Sequence, residues 1–237
     1  MGFDTVTRTH VGCRRKVNED CLLALPDLGL WAVADGMGGH HAGDVASAMV
    51  VEALAEPAPS DAMAERVERA RRQLEAANTR LTAFAVEEGG GRTVGSTVVA
   101  FLTSGDRYAC LWAGDSRAYG LRDGQIVQLT RDHSLVQDLV DLGEIAPADA
   151  RDHPNANVIT RAVGGTTQLE LDLVEGRLAS GDLFLLATDG LTRVVGDEEI
   201  AAALGSSDLE LAADGLVERC LQRGAPDNLS FVIVKAR

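Results

Sequence analysis

Basic residues are scarce in this chain. Lys and Arg number 22 against 36 Asp and Glu, giving a net charge of −14, and a protein without a basic excess is a poor partner for nucleic acid. Cysteine is sparse too. Cys13, Cys21, Cys110 and Cys220 form no C-x-x-C pair and no zinc spacing. They read as reduced thiols, with Cys110 in the core. No apolar run approaches the length of a membrane span. The first residues lack the apolar stretch of a signal peptide. Met1-Gly2 opens like a myristoylation signal, but Val6 stands where Ser or Thr is needed. No repeat, linker or low-complexity tract divides the 237 residues, and 46% of them are hydrophobic. The expectation is one soluble, cytoplasmic domain over 1–237, and nothing demands more than a monomer.

What is present centres on Leu30-Trp31-Ala32-Val33-Ala34-Asp35-Gly36-Met37-Gly38-Gly39-His40. The apolar run predicts a strand buried on both faces. It ends in an acid and a glycine-rich turn, and a helix is expected from about Asp44 to Ala55. A dinucleotide fingerprint is excluded, because His41 occupies the third glycine position. The phosphate-loop pattern is absent as well. An ordinary tight turn with a capping Asp remains open from this stretch alone.

Other segments repeat the theme. Leu183 to Thr188 runs into Asp189-Gly190, and Tyr108 to Gly114 runs into Asp115-Ser116-Arg117. Asp227-Asn228 precedes the apolar run Leu229 to Val234, and Asn18-Glu19-Asp20 precedes Cys21 to Leu25. Each puts a carboxylate where a buried strand meets a loop. Acids converging at one end of a core repel one another unless a cation neutralises them. An all-oxygen donor set suits Mg²⁺ or Mn²⁺, and two such ions about 3.5–4 Å apart make a hydrolytic centre.

Taken in order, these motifs resemble the metal-dependent protein phosphatases, the type 2C Ser/Thr phosphatases, in their compact bacterial form. The resemblance rests on Arg15-x-x-Asn18-Glu19-Asp20, Asp35-Gly36-Met37-Gly38-Gly39-His40, Gly95-Ser96-Thr97, Gly114-Asp115-Ser116-Arg117, Asp132-His133-Ser134, Asp189-Gly190 and Asp227-Asn228-Leu229-Ser230. It implies an α+β fold, a four-layer α/β/β/α sandwich of two mainly antiparallel sheets flanked by helices. It also implies a centre of two Mn²⁺ or Mg²⁺ ions at one end. Asp35 then bridges both ions, and the Gly36 carbonyl ligates one. Asp189 and Asp227 hold the other, while Glu19 and Asp20 act mainly through metal-bound waters. Asp115 joins Asp189 at a third, weaker site. Arg15 clamps the substrate phosphate, which a solvated charge run at Arg14-Arg15-Lys16 would not do. His40 is the candidate general acid, although Met37 stands where many eukaryotic members carry a histidine. His41 is an alternative, and His133 is expected to pack structurally. The implied partners are phosphorylated proteins and a cognate Ser/Thr kinase. A catalytically silent phosphoprotein-binding module on the same fold is the competing reading, and the presence of Asp35, Asp189 and Asp227 argues against it.

The remaining elements follow from local pattern. Residues 1–35 read as a pair of strands around a turn at Pro26-Asp27-Leu28-Gly29. Ser60 looks like an N-cap for a helix over Asp61 to about Glu88, whose apolar stripe runs Met63, Val67, Ala70, Leu74, Ala77, Leu81, Phe84. Core packing is expected of that stripe, with a coiled coil as the alternative. An antiparallel meander follows from Thr97 to Leu129. About 135–165 resemble the family's flap, a segment beside the active site that influences substrate choice. Short helices are expected over Ile200–Leu204 and Leu209–Gln222.

Overall fold

The computed structural model describes residues 2–38, 42–55, 62–87 and 93–237. His40, His41 and Ser60 lie outside the described residues.

The first 37 residues differ from the expected pair of strands. β1 (Phe3–His10), β2 (Asp20–Leu25) and β3 (Leu30–Met37) are three strands, and Pro26–Leu28 between the last two is a single 3-10 turn. β1 carries Thr and charged residues between its apolar positions, so it lacks the continuous apolar run that marks β3. α1 (Ala42–Leu54) and α2 (Met63–Glu87) follow. The meander is β4 (Gly95–Ser96), β5 (Val98–Ser104), β6 (Arg107–Ala113), β7 (Arg117–Arg122) and β8 (Gln125–Gln128). α3 (Leu135–Asp141) opens the 135–165 segment, the expected flap. β9 (Asp172–Arg177) then returns to the sheet, a strand that no apolar run announces because its faces alternate between half-buried and exposed. β10 (Leu183–Ala187), α4 (Asp189–Thr192), α5 (Asp197–Leu204), α6 (Leu209–Gln222) and β11 (Leu229–Ala236) complete the order.

Every strand pairing is antiparallel. One sheet runs β1-β11-β10-β7-β8, the other β2-β3-β5-β6-β9 with β4 against β3. The apolar residues sort into three layers. Trp31, Val33, Val99, Phe101, Phe184, Leu186 and Val232 fill the space between the sheets. The stripe of α2 packs with α1 on the outer face of the second sheet, through Val67, Leu74, Leu81, Ala100 and Leu111. Leu191, Ile200, Leu216 and Cys220 cover the outer face of the first, against Leu185 and Ile233. The four layers are therefore α/β/β/α, and α2 is core packing, not a coiled coil.

This topology brings the acids together. In an antiparallel pair, the end of one strand abuts the start of its neighbour. β2 starts at Asp20, which pairs with Asp35 near the end of β3. In the other sheet Ala187 faces both Phe231 and Arg117, so Asp189, Asp227 and Asp115 all lie just beyond the same edge. One end of the sandwich collects all five.

Candidate active site

The backbone around Asp35 is held by hydroxyls. The Asp35 N–H donates to Thr97 Oγ1 at 2.9 Å, and its carbonyl accepts from Ser96 Oγ at 3.0 Å. Thr97 Oγ1, between β4 and β5, in turn lies 2.7 Å from Ser116 Oγ, tying the end of β3 to the turn before β7. Gly114 reaches φ 112° there, and a Cβ on it would come within 2.6 Å of Thr97. On the other side, the Gly36 N–H donates to the Glu19 carbonyl at 3.0 Å. A Cβ on Gly43 would sit 2.4 Å from Glu19 Oε1 and 2.9 Å from the Gly36 carbonyl oxygen, so glycine there leaves both oxygens clear.

The carboxylates feel one another. Desolvation raises Asp35 well above the usual carboxylate range, and Asp20, Asp189, Asp115 and Asp227 push it further. Desolvation lifts Asp20 to about 7 against the hydrogen bonds that Thr188 and Ser230 supply. Asp115 also rises to about 7, through desolvation and then Asp189, with Arg193 opposing. Asp189 rises by desolvation against the pull of Arg193. Among the described residues, no three His, Cys, Asp or Glu side chains already form a compact ligand shell. Arginines hold several of the acids instead. Arg15 Nη2 lies 2.7 Å from Asp227 Oδ2, and Arg193 pairs with both Asp189 and Asp115.

The donor chemistry nevertheless fits divalent cations. Asp20 Oδ1 and Asp189 Oδ1 are buried without any hydrogen-bond partner, an arrangement that costs about 1–3 kcal/mol per group, and more when charged. Two unpartnered carboxylate oxygens beside a desolvated Asp35 are hard oxygen donors awaiting a cation.

The protein phosphatase 2C profile matches residues 14–229. The chain belongs to the protein phosphatase 2C family. It is 38% identical over 226 residues to the serine/threonine protein phosphatase PstP of Mycobacterium tuberculosis, covering 95% of this chain but only 43% of that protein, so it spans less than half of that relative's length. Among solved structures, PppA from Pseudomonas aeruginosa superposes with a TM-score of 0.92 at 42% identity, over 100% of this chain and 99% of that one. The catalytic domain of PstP in complex with two manganese ions superposes with a TM-score of 0.86 at 36% identity, over 98% of this chain and 97% of that one.

In this 2C-family chain the sites expected from sequence fall as follows. Asp20, Asp35, Asp115, Asp189, Asp227, Glu19, Gly36 and Arg15 stand at one end of the sandwich. Asp115 and Asp189 share a guanidinium. His133 packs structurally: its ring stacks on Trp112 at 5.9 Å, accepts from the Gly114 N–H at 3.2 Å and meets Asp172 at 3.2 Å.

Three residues shape the site in ways the sequence does not announce. Arg193 is one. Its spacing of four from Asp189 is a helical pairing signal, but α4 is too short for periodicity to reveal. Asn228 is another. It is 4% exposed. Its carboxamide accepts from the Glu19 N–H at 2.9 Å and donates to Val11 and Val17 carbonyls at 2.8 and 3.0 Å. It therefore ties the 11–19 loop to the start of β11. Asn228→Ala should lower unfolding stability by about 2–4 kcal/mol, the loss of several buried hydrogen bonds. It should also weaken Mn²⁺ binding, measured by urea titration and calorimetry; a change below about 0.5 kcal/mol would show that the loop needs no such tie. Asn78 is the third. It is buried on α2, accepts from the Gly164 N–H at 2.7 Å and donates to the Thr166 carbonyl at 2.9 Å.

The flap is anchored at both ends. Ser134 caps α3, the Leu135 N–H donates to Val158 O at 2.9 Å, and the Thr160 N–H donates to His133 O at 2.8 Å. A cavity of about 250 Å³ lies on one side, with Asp115, Arg117, Arg151 and Arg193 in its wall. A cavity of about 490 Å³ lies on the other, reaching Met37, His133 and Arg161.

Proposed function

We propose that this chain is a metal-dependent phosphoserine/phosphothreonine protein phosphatase, a phosphoric monoester hydrolase acting on phosphoproteins. The observation that carries the reading is the convergence of five aspartates, two with buried unpartnered oxygens, in a chain of the 2C family. The manganese ions of the related PstP catalytic domain support the cofactor. Asp35, Asp189, Asp227 and the Gly36 carbonyl would hold two Mn²⁺ or Mg²⁺ ions, with Glu19 and Asp20 beside them. Bound there, the ions supply charge neutralisation for the phosphoryl group and a water acidified for in-line attack.

The chain's own residues supply the rest. Arg15 lies at the open edge, its side chain 50% exposed, so its fork can leave Asp227 for a substrate phosphate. Asn228 sets Glu19, and Thr97 sets Asp35, before substrate arrives. His40 is our candidate to protonate the leaving alkoxide; it lies outside the described residues. The flap and its two flanking cavities offer the surface on which the phosphoprotein would lie. A Ser/Thr kinase is the expected source of the phosphate. Free cysteines fit a reducing cytoplasm, and we expect the chain to act there as a monomer. No helix among the described residues is long and apolar enough to cross a membrane.

The test is hydrolysis of a phosphothreonine peptide with added Mn²⁺, with and without EDTA. Phosphate release that EDTA abolishes is expected. No release at any metal level from folded protein would leave a silent phosphoprotein-binding module. Arg15→Ala should raise KM roughly tenfold or more through loss of a charge-assisted pair, with a smaller change in kcat. An unchanged KM would return Arg15 to the solvated surface.

A further inference from the structure

Arg193 closes α4, and its guanidinium touches acceptors on three separate segments. Nε lies 2.8 Å from Asp189 Oδ2. Nη2 donates to Asp115 Oδ2 at 3.0 Å and to the flap carbonyl of Ala156 at 2.8 Å. The two oxygens of Asp189 are therefore divided. Oδ2 belongs to Arg193, while Oδ1 is buried and partnerless. Asp115 is 5% exposed and has its charge met by the same guanidinium. The Arg193 side chain is itself only 30% exposed.

A guanidinium does not lose its proton in a protein, and its planar fork suits several fixed acceptors at once. A divalent ion entering between Asp115 and Asp189 would have to displace it from two carboxylates and leave the Ala156 carbonyl without its donor. We propose that Arg193 is a positioning residue, a permanent internal cation between Asp115 and Asp189 that restricts the centre to two exchangeable ions and moors the flap through Ala156. This rests on the two-ion reading above. It gives one side chain three effects: it turns Asp189 Oδ1 toward the centre, it closes the Asp115 edge to a third ion, and it fixes how near the flap stands to the metals.

The experiment counts Mn²⁺ by equilibrium dialysis with electron paramagnetic resonance of the free ion. Hydrogen exchange of residues 150–158 is followed in parallel. Arg193→Met and Arg193→Lys are compared with the parent, and near-ultraviolet circular dichroism confirms that each is folded. The parent should bind two ions, the number in the PstP catalytic domain. Arg193→Met should gain a further, weaker ion and exchange the flap segment roughly tenfold faster or more, the cost of a lost hydrogen bond from a charged group. Arg193→Lys should keep the charge and the count of two, yet still loosen the flap, because one ammonium cannot span the three acceptors. A parent that binds three ions would overturn the proposal and leave the phosphatase reading intact. So would Arg193→Met with an unchanged count and unchanged exchange. A parent that binds none would overturn the metal reading, and this proposal with it.

Discussion

Asp35→Asn should melt higher than the parent in EDTA and gain nothing from Mn²⁺. The Asp35 carboxylate is desolvated and repelled by Asp20, Asp189, Asp115 and Asp227. An asparagine keeps the shape, removes one charge from the cluster and brings an N–H₂ that can donate to a neighbouring carboxylate. A higher melting temperature at pH 7.5 is therefore expected in metal-free buffer. The parent should recover more than that with Mn²⁺, since a ligand at a hundred times its Kd adds about 2.7 kcal/mol. Turnover should fall roughly 10³-fold or more, because charge stabilisation at the phosphoryl group goes with the ligand. Differential scanning calorimetry with and without Mn²⁺ decides it. A variant that melts lower in EDTA would mean that Asp35 is a structural acid, not a metal ligand.

The second large effect is in the pH dependence of metal-free stability. Asp20 and Asp115 sit near 7 in the folded protein, against about 3.9 in an unfolded chain. The folded state thus retains protons that the unfolded state has lost. The contribution of these groups is fully present below about pH 4 and disappears as pH rises through about 7, at about 1.4 kcal/mol per pH unit for each retained proton. Other acids have the opposite sign. Despite desolvation, Asp182 is pulled down by Arg122, and Asp172 by His133 and Arg161. Their stability is lost only as pH falls below the ordinary carboxylate range; inside pH 5–7.5 the buried His133, whose pKa desolvation lowers, adds one opposing slope, which the several acids of the centre outweigh. The melting temperature in EDTA should fall across that window. Saturating Mn²⁺ should flatten or reverse the slope, because cations then meet the charge that protons met. A metal-free protein whose melting temperature climbs from pH 5 to 7.5 would contradict the shared burial of these acids.

Much of this centre could be read from the chain because its chemistry sits at junctions. Asp35, Asp115 and Asp189 each end an apolar run, and a run that stops at an acid is visible without any structure. α2 was visible for the same reason, through steps of three and four that persist over many turns. What stayed hidden depends on partners far along the chain. β1 and β9 are edge strands in which polar residues interrupt the apolar ones, so neither has the uninterrupted hydrophobicity that marks β3 or β10. Asn228 looked like the tail of an acidic motif, yet its three hydrogen bonds reach residues more than two hundred positions away. No motif marks Arg193 in the sequence. Only the meeting of α4, the turn before β7 and the flap makes it part of the centre.

The placement of β11 governs the order in which this site can come into being. β11 is the last strand of the chain, yet it lies between β1, the first, and β10. Phe3 faces Ala236, and His10 faces Leu229. The second sheet draws its strands from residues 20–177 and can pair before β11 exists. The first sheet cannot, since β1 has no neighbour until β11 arrives, and that closure spans almost the whole sequence, the slow kind of contact in folding. Asp227 and Asn228 enter with the same strand. On a growing chain, Asp20 and Asp35 would stand exposed on a half-built sandwich, unable to hold a pair of ions. A complete donor set therefore requires β11 to be seated between β1 and β10, since Asp227 comes with it.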